Sequence, residues 1–65
     1  MKDYQKRVIA EKYELDKKLA KLTSFTDDEV VFSSVEKKEQ GRLLRQKLLM
    51  ELYSEVLAAR IAAFL

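Results

Sequence analysis

Apolar residues in the carboxy-terminal stretch 43–64 recur at helical spacing, in a run that contains no Gly or Pro. One stripe repeats every seven residues and comprises Leu43, Met50, Leu57 and Phe64. Residues seven apart lie on one face of an α-helix, so this stripe predicts a helix with a buried face. We expect Gln46, Tyr53 and Arg60 at the intermediate positions of that face, with Tyr53 a core side chain rather than a ligand contact.

A second apolar stripe lies well round the predicted helix from the first. It comprises Leu48 or Leu49, Leu52, Val56, Ala59 and Ala63. Together the two stripes are wider than the single apolar band of a surface helix. Because the chain offers only one other long helix, we expect the second stripe to pack against another copy of the chain or against a different protein.

The amino-terminal stretch predicts another long helix, from about Asp3 to Leu22. Its apolar face comprises Tyr4, Val8, Leu15, Leu19 and Leu22. Glu11 and Lys12 interrupt this face. Such a break indicates either a solvated gap or a place where polar side chains specify the register of packing or a ligand.

A helix start is predicted between the two long helices. Thr26 and Glu29 have the spacing of a capping box, and Phe25 and Val30 have the spacing of a hydrophobic staple. We therefore expect a short helix over Asp27 to Phe32.

A second capping box, Ser33 with Glu36, would follow the short helix. Gly41 would lie inside the long helix, where Gly costs about 1 kcal/mol relative to Ala unless close packing needs it. These elements predict an all-α fold: a helical hairpin of two long antiparallel helices with a short helical corner. We expect one helical domain over residues 1–65, assembled as a homo-oligomer.

The composition leaves few ways to stabilise so short a chain. At 65 residues a core alone gives a narrow stability margin, and the sequence has no Cys for disulfides and no Cys or His for zinc. Oligomerisation is the remaining way to stabilise a chain of this length. No apolar run approaches the roughly 18 to 20 residues of a membrane span, so we expect a soluble, intracellular protein with no membrane partner.

Catalytic chemistry is poorly supported by this composition. Without His or Cys the commonest nucleophile and base arrangements are impossible, and the single Gly excludes a Gly-rich phosphate loop. Asp27, Asp28 and Glu29 could hold a metal, but each is explained as a capping or first-turn residue. We expect no enzyme, no cofactor and no metal site.

The net charge of +2 argues against a dedicated partner for duplex nucleic acid, which would require a large basic excess. A small anionic ligand needs only a few converging cations, which several protomers could supply.

The candidate ligand-binding residues combine one aromatic with several cations: Tyr4, Arg7, Lys18, Lys21 and Arg42. Arg7, Lys18 and Lys21 lie along one edge of the stripe that begins at Tyr4, and Arg42 is in the basic start of the long helix. Stacking and charge-assisted hydrogen bonds are what a purine and its phosphates need. Tyr4 and Lys18 are roughly 21 Å apart along a helix, so one small ligand would touch both only at a subunit interface. The alternative is a half-buried core tyrosine beside solvated lysines.

The chain resembles a family of short proteins of crAss-like and other tailed phages, similar to the phage anti-CBASS cyclic-nucleotide sponges. The resemblance covers nearly the whole chain. It rests on Tyr4-Gln5, Arg7-Val8-Ile9, Glu11, Glu14-Leu15-Asp16, Lys18-Leu19, Lys21-Leu22, Phe25, Glu39-Gln40, Leu43-Leu44, Gln46, Met50, Tyr53, Leu57, Arg60-Ile61 and Phe64.

The resemblance implies a helical homo-oligomer, a hexamer in the characterised sponges, in the cytoplasm of the infected bacterial host. Such a protein sequesters cyclic di- or trinucleotide signals of antiviral defence without cleaving them. It also implies that Tyr4 matches an aromatic that stacks on a base, and that Lys18, chosen over Lys21, is the pocket lysine. A helical protein–protein interaction module is the alternative function.

Overall fold

Two long helices joined by a short one make up the computed structural model, which describes residues 1–64. The helices are α1 over Asp3–Asp27, α2 over Glu29–Ser33 and α3 over Lys37–Ala62. The hairpin measures 46 × 15 × 14 Å, and no strand occurs within residues 1–64. The predicted all-α class and helical hairpin are confirmed.

Contacts between α1 and α3 show that the two helices run antiparallel. The rings of Tyr4, near the start of α1, and Phe64, just after α3, have centroids 5.8 Å apart. In the middle of the hairpin, the Ser54 hydroxyl on α3 lies 2.6 Å from the Asp16 carboxylate on α1. The start of one helix therefore meets the end of the other.

The face that each long helix turns to the other follows a regular alternation of three-residue and four-residue steps. On α1 its shielded positions are Gln5, Val8, Lys12, Leu15, Leu19, Leu22 and Thr26. On α3 and just beyond it they are Leu43, Lys47, Met50, Ser54, Leu57, Ile61 and Phe64. This is the spacing of helices that pack nearly antiparallel with interlocking side chains. Only Val8 and Leu57 are buried among the described residues, so the core of one chain is thin.

The heptad stripe of Leu43, Met50, Leu57 and Phe64 is confirmed, but the intermediate positions are not those expected from the sequence. Lys47, Ser54 and Ile61 face α1, whereas Gln46, Tyr53 and Arg60 are exposed. Either set continues the seven-residue repeat. The observed set contributes the apolar side chain of Ile61 and the hydroxyl of Ser54, which hydrogen-bonds to α1. These two contacts explain why this set, rather than the expected one, faces α1.

The corner begins later than predicted. α1 continues past Leu22 to Asp27, and the Thr26 hydroxyl donates back to the Thr23 carbonyl inside that helix, so the Thr26 capping box is wrong. The N-cap of α2 is Asp28, whose carboxylate accepts from the Val31 amide. No Gly or Pro stops α1 at residue 22, so the helix runs on to the first good cap.

Aromatic packing rather than the predicted staple closes the corner. The Phe25 and Phe32 rings meet edge to face with centroids 6.2 Å apart, whereas Val30 is 82% exposed. The staple of Phe25 with Val30 is therefore wrong. The later start of α2 rotates Val30 away from Phe25 and brings Phe32 round to it.

The start of α3 also differs from the sequence-based prediction. Glu36 is the N-cap and accepts from the Glu39 amide, while the Ser33 hydroxyl donates to a carbonyl inside α2. The Ser33 capping box is therefore wrong. The Gln40 side-chain amide donates to the Phe32 and Val35 carbonyls, at 3.1 and 2.8 Å, and so ties α3 to the corner.

Much apolar surface stays uncovered in one chain. The accessible area is 5083 Å², whereas the area expected for a compact monomer of 7.6 kDa is about 4,300 Å². The exposed large apolar side chains of α3 are Leu44, Leu48, Leu49, Leu52, Tyr53 and Val56. Within residues 1–64 no helix is both long and apolar enough to cross a bilayer.

Candidate functional site

The five candidate ligand-binding residues are spread along the hairpin and do not converge within one chain. Tyr4 lies at the open end, beside Phe64. Arg42 lies near the start of α3, at the opposite end, where the helical corner closes the hairpin. Lys18 and Lys21 lie between them on α1. A small ligand could therefore touch all of these groups only where several copies of the chain meet.

Tyr4 is 46% exposed, and its ring meets Phe64 edge to face at an interplanar angle of 85°. Edge contact leaves a face of the phenol ring free to stack. Both interpretations of this tyrosine are thus compatible with its surroundings, because half of it packs and half of it is open.

The α1 cations of the candidate set are Arg7, Lys18 and Lys21. All three are exposed, and within residues 1–64 none of them forms an ion pair. An exposed cation keeps its full hydrogen-bonding capacity for a phosphate.

A shallow hollow of about 340 Å³ lies along α3, at the lower end of the range of about 300 to 1,000 Å³ typical of small-molecule sites. It is lined by Arg42, Arg45, Gln46, Leu49, Met50 and Tyr53. The lining is almost wholly apolar, so Arg42 and Arg45 contribute mainly the aliphatic parts of their side chains, beside the Tyr53 ring. An aromatic ring and two arginines, the residue types that the sequence led us to expect around Tyr4, therefore lie close together on a single helix.

Arg42 enters this hollow with partners already in place. Its Nε donates to a Glu39 carboxylate oxygen at 2.6 Å, and its Nη2 lies 3.9 Å from Glu36. Both pairs are exposed, and exposed pairs contribute at most about 1 kcal/mol. A phosphate could therefore compete for Arg42, whereas Arg45 has no ion-pair partner within residues 1–64.

The hollow contains residues that sequence reasoning did not assign to a site. Tyr53 was expected in the core but is 44% exposed. Arg45, which also lies in the basic start of the long helix, was not among the candidate ligand-binding residues. Both lie within one helical turn of Leu49, and that apolar-aromatic-basic grouping was the available signal.

A second hollow on α1 is lined by Tyr13, Asp16, Lys17 and Ala20. The Lys17 ammonium lies 5.1 Å from the centre of the Tyr13 ring, a cation–π contact that covers one face of that ring. Asp16 adds a negative charge. This hollow is therefore a poorer match to an anionic aromatic ligand than the hollow on α3.

A polar layer crosses the hairpin beside that second hollow. The Lys12 ammonium donates to Asp16 at 2.5 Å and to the Ser54 hydroxyl at 3.2 Å, and Ser54 donates to Asp16. The hydrogen bonds from Lys12 and then from Ser54 lower the pKa of the Asp16 carboxyl below its usual value of 3.8. The break at Lys12 is thus part of the packing between the two long helices, with hydrogen bonds that cross from one to the other.

The acidic run at the corner is divided between two helices: Asp27 is the last residue of α1, so its predicted first-turn position is wrong, whereas Glu29 is the first residue of α2. The Asp28 carboxylate caps α2, as described above, and no group of three potential metal ligands occurs among residues 1–64.

The structure is that of a small all-helical chain that exposes apolar, aromatic and cationic side chains. Over residues 2–63 it matches the family described as Sequestin. The chain belongs to the Sequestin family, which agrees with the resemblance to the phage sponges. The family is a sequestering, non-catalytic kind of protein, and membership of it suggests a sequestering function for this chain. No curated protein and no solved structure gave a match.

Proposed function

We propose that this protein binds cyclic di- or trinucleotide second messengers at interfaces between copies of the chain and holds them without cleaving them. The observation that carries the proposal is membership of the Sequestin family across residues 2–63. A protein that withholds a signal needs affinity and copy number but no reactive group, which suits a chain with neither His nor Cys.

The need for an interface follows from the distances along the hairpin. Tyr4 and Lys18 are separated by roughly 21 Å of α1, more than a small ligand spans. We infer that Tyr4 and Arg7 of one protomer face Lys18 or Lys21 of a neighbour. The tyrosine ring stacks on a base, and the cations donate charge-assisted hydrogen bonds to the phosphates.

The exposed apolar side chains of α3 support the same proposal, because a continuous apolar face on a small chain marks an interaction surface. Assembly of several copies would cover it and create crevices between them. Arg42 and the α3 hollow would then lie at or beside such a crevice. A homo-oligomer, with the hexamer of the sponges as the expected size, completes the arrangement.

In this proposal the protein acts for a phage, in the cytoplasm of the infected bacterium, and starves a defence effector of its signal. The ligand leaves the complex chemically unchanged. That property separates sequestration from hydrolysis.

Thermal unfolding with a panel of cyclic di- and trinucleotides tests the proposal. A ligand present at 100 times its dissociation constant should stabilise the folded assembly by about 2.7 kcal/mol. Linear dinucleotides and mononucleotides are the matched controls and should give smaller shifts. Absence of a shift with every cyclic compound, in a preparation shown to be oligomeric, would contradict the proposal.

A helical protein–protein interaction module remains the second candidate, and the observation favouring it is again the uncovered apolar face of α3. Reconstitution with a purified partner distinguishes the two functions. A stable heteromeric complex that displaces self-association and does not respond to cyclic nucleotides would favour the interaction module.

A further inference from the structure

The face of α3 that points away from α1 has a regular pattern of its own. Fully buried Leu57 marks the inner face, and the outer face lies about half a turn round from it. Positions on the outer face alternate by four and three residues: Gly41, Arg45, Leu48, Leu52, Glu55 and Ala59. All six are exposed in the single chain. A stripe with this alternation is the seam of a second helix pair.

We propose that the outer face of α3 packs antiparallel against the same face of a second copy, around a two-fold axis midway between Leu48 and Leu52. An isologous contact of this kind pairs unlike positions of the same stripe. Leu48 of each copy meets Leu52 of the other. Moving outward, Arg45 meets Glu55, and Gly41 meets Ala59.

Charge complementarity favours this register. Arg45 and Glu55 have opposite charges, and neither forms an ion pair within residues 1–64. The two-fold axis makes the contact occur twice, once on each side of the leucine layers. A parallel arrangement would instead place Arg45 against Arg45 and Glu55 against Glu55, which is unfavourable.

Gly41 gives a second, independent argument. A methyl group added at this position would meet nothing within 4 Å in the single chain, so the hairpin itself does not require Gly there. Gly is also a poor residue for the interior of a helix. Small residues allow two helix backbones to approach closely, and this register places Gly41 opposite another small residue, Ala59.

The area also fits a second copy. The chain exposes about 800 Å² more than a compact monomer of its mass, from the surface scaling used above. A standard protein–protein interface buries about 800 Å² on each partner. The excess exposed surface of one chain is therefore about as large as the surface that one partner buries in a standard interface.

The pairing has a consequence for the hollow on α3. In an antiparallel pair, residues on the same flank of both helices emerge on the same side, and Leu49 and Tyr53 share one flank. The two hollows would then lie next to each other, with Leu49 of the two copies between them. Arg45 is paired with Glu55 in this arrangement, so two Tyr53 rings and two Arg42 side chains related by a two-fold axis would match a ligand with two bases and two phosphates. This last point rests on the proposed function, whereas the pairing does not.

A charge-exchange experiment tests the pairing without any nucleotide. Arg45→Glu and Glu55→Arg are prepared in the full chain, separately and as an equimolar mixture, and sized by sedimentation at micromolar concentration. Each single variant faces like charges twice, and its self-association should weaken tenfold or more. The mixture restores both contacts between unlike variants and should regain the wild-type size. Lys6→Glu, on the exposed outer side of α1, is the matched control and should sediment like wild type.

Circular dichroism verifies that every variant remains helical. Single variants that associate as wild type, or a mixture that associates no better than either single variant, would overturn the pairing. The pairing would also be overturned if the wild-type protein were found bound to a different protein instead of to a second copy of the chain. Because nucleotide is left out, these outcomes are separate from failure of the nucleotide-binding proposal.

Discussion

The Ser54 hydroxyl of α3 donates a hydrogen bond to the Asp16 carboxylate of α1 across 2.6 Å, and the Lys12 ammonium contacts both groups. This polar layer lies within an otherwise largely apolar contact between the long helices. Lys12 and Asp16 are four residues apart on α1 and would stay paired, but a shift of α3 by one heptad would carry Ser54 away from both of them. The two hydrogen bonds that cross the hairpin in this layer therefore favour the observed axial register.

The depressed pKa of Asp16 predicts acid sensitivity of the hairpin. A carboxylate whose pKa is lower in the folded state stabilises it at neutral pH, and that contribution is lost as pH falls below the usual value of 3.8 and through the folded-state pKa. Asp16→Asn should therefore be less stable than wild type at pH 7, with a smaller difference in strong acid. Urea unfolding at a series of pH values measures this.

The matched control for that series is Asp27→Asn, which removes a carboxylate at the end of α1 with no ion-pair partner within residues 1–64. Its stability relative to wild type should change less with pH. Equal pH dependence of wild type and Asp16→Asn would show that the polar layer does not contribute as described.

Leu57 should dominate the stability of the single hairpin, because it is the side chain with 0% exposure. Leu57→Ala should cost about 3 kcal/mol. A 65-residue domain has a total stability of roughly 3 to 10 kcal/mol, so this loss is large. Val30→Ala, at a position 82% exposed, should change stability by less than about 0.5 kcal/mol. Denaturant unfolding followed by circular dichroism compares the two, and similar losses would contradict the assigned core.

Gly41→Ala should have opposite effects on folding and on assembly. In the isolated hairpin the new methyl group meets nothing within 4 Å, and the gain in helix propensity should stabilise the fold by about 1 kcal/mol. In the proposed α3 pair the same methyl group would separate the helices and weaken self-association. Thermal melts over a range of protein concentrations resolve the two effects. Stabilisation that persists at every concentration would argue against close approach at Gly41.

The contact between Tyr4 and Phe64 allows stacking on a ligand to be separated from packing. Loss of the contact between the two rings should lower the free energy of unfolding by about 0.5 to 1.5 kcal/mol, in addition to the effect of the lost buried surface, whichever ring is replaced. Tyr4→Leu should also abolish thermal protection by cyclic nucleotide, whereas Phe64→Leu should retain it. If both variants bind nucleotide as well as wild type, Tyr4 does not stack on the ligand.

Much of the fold follows from the periodicity of the sequence. The heptad of Leu43, Met50, Leu57 and Phe64 defines the inner face of α3, because apolar residues seven apart can share one face and no Gly or Pro breaks the run after Gly41. The helix ends were harder to predict. Thr26 and Ser33 are good caps by composition, but their hydroxyls bond back within α1 and α2, and the carboxylates of Asp28 and Glu36 form the caps instead.

The candidate site was less predictable because it depends on which set of intermediate heptad positions on α3 faces α1, the set containing Ser54 or the set containing Tyr53. With Ser54 rather than Tyr53 turned to α1, the tyrosine becomes exposed and joins Arg45 beside the α3 hollow. Periodicity alone does not separate these choices. The difference comes from a long-range hydrogen bond, which no local pattern around Tyr53 records.

Sedimentation velocity of the protein with each cyclic di- and trinucleotide of the panel, followed at the absorbance of the nucleotide, tests sequestration at subunit interfaces most directly. We predict that at least one of these nucleotides sediments with an oligomer and is recovered intact after denaturation. Failure of every member of the panel to sediment with the protein, a nucleotide that travels with a single folded chain, or a bound nucleotide that is recovered cleaved would contradict the proposal.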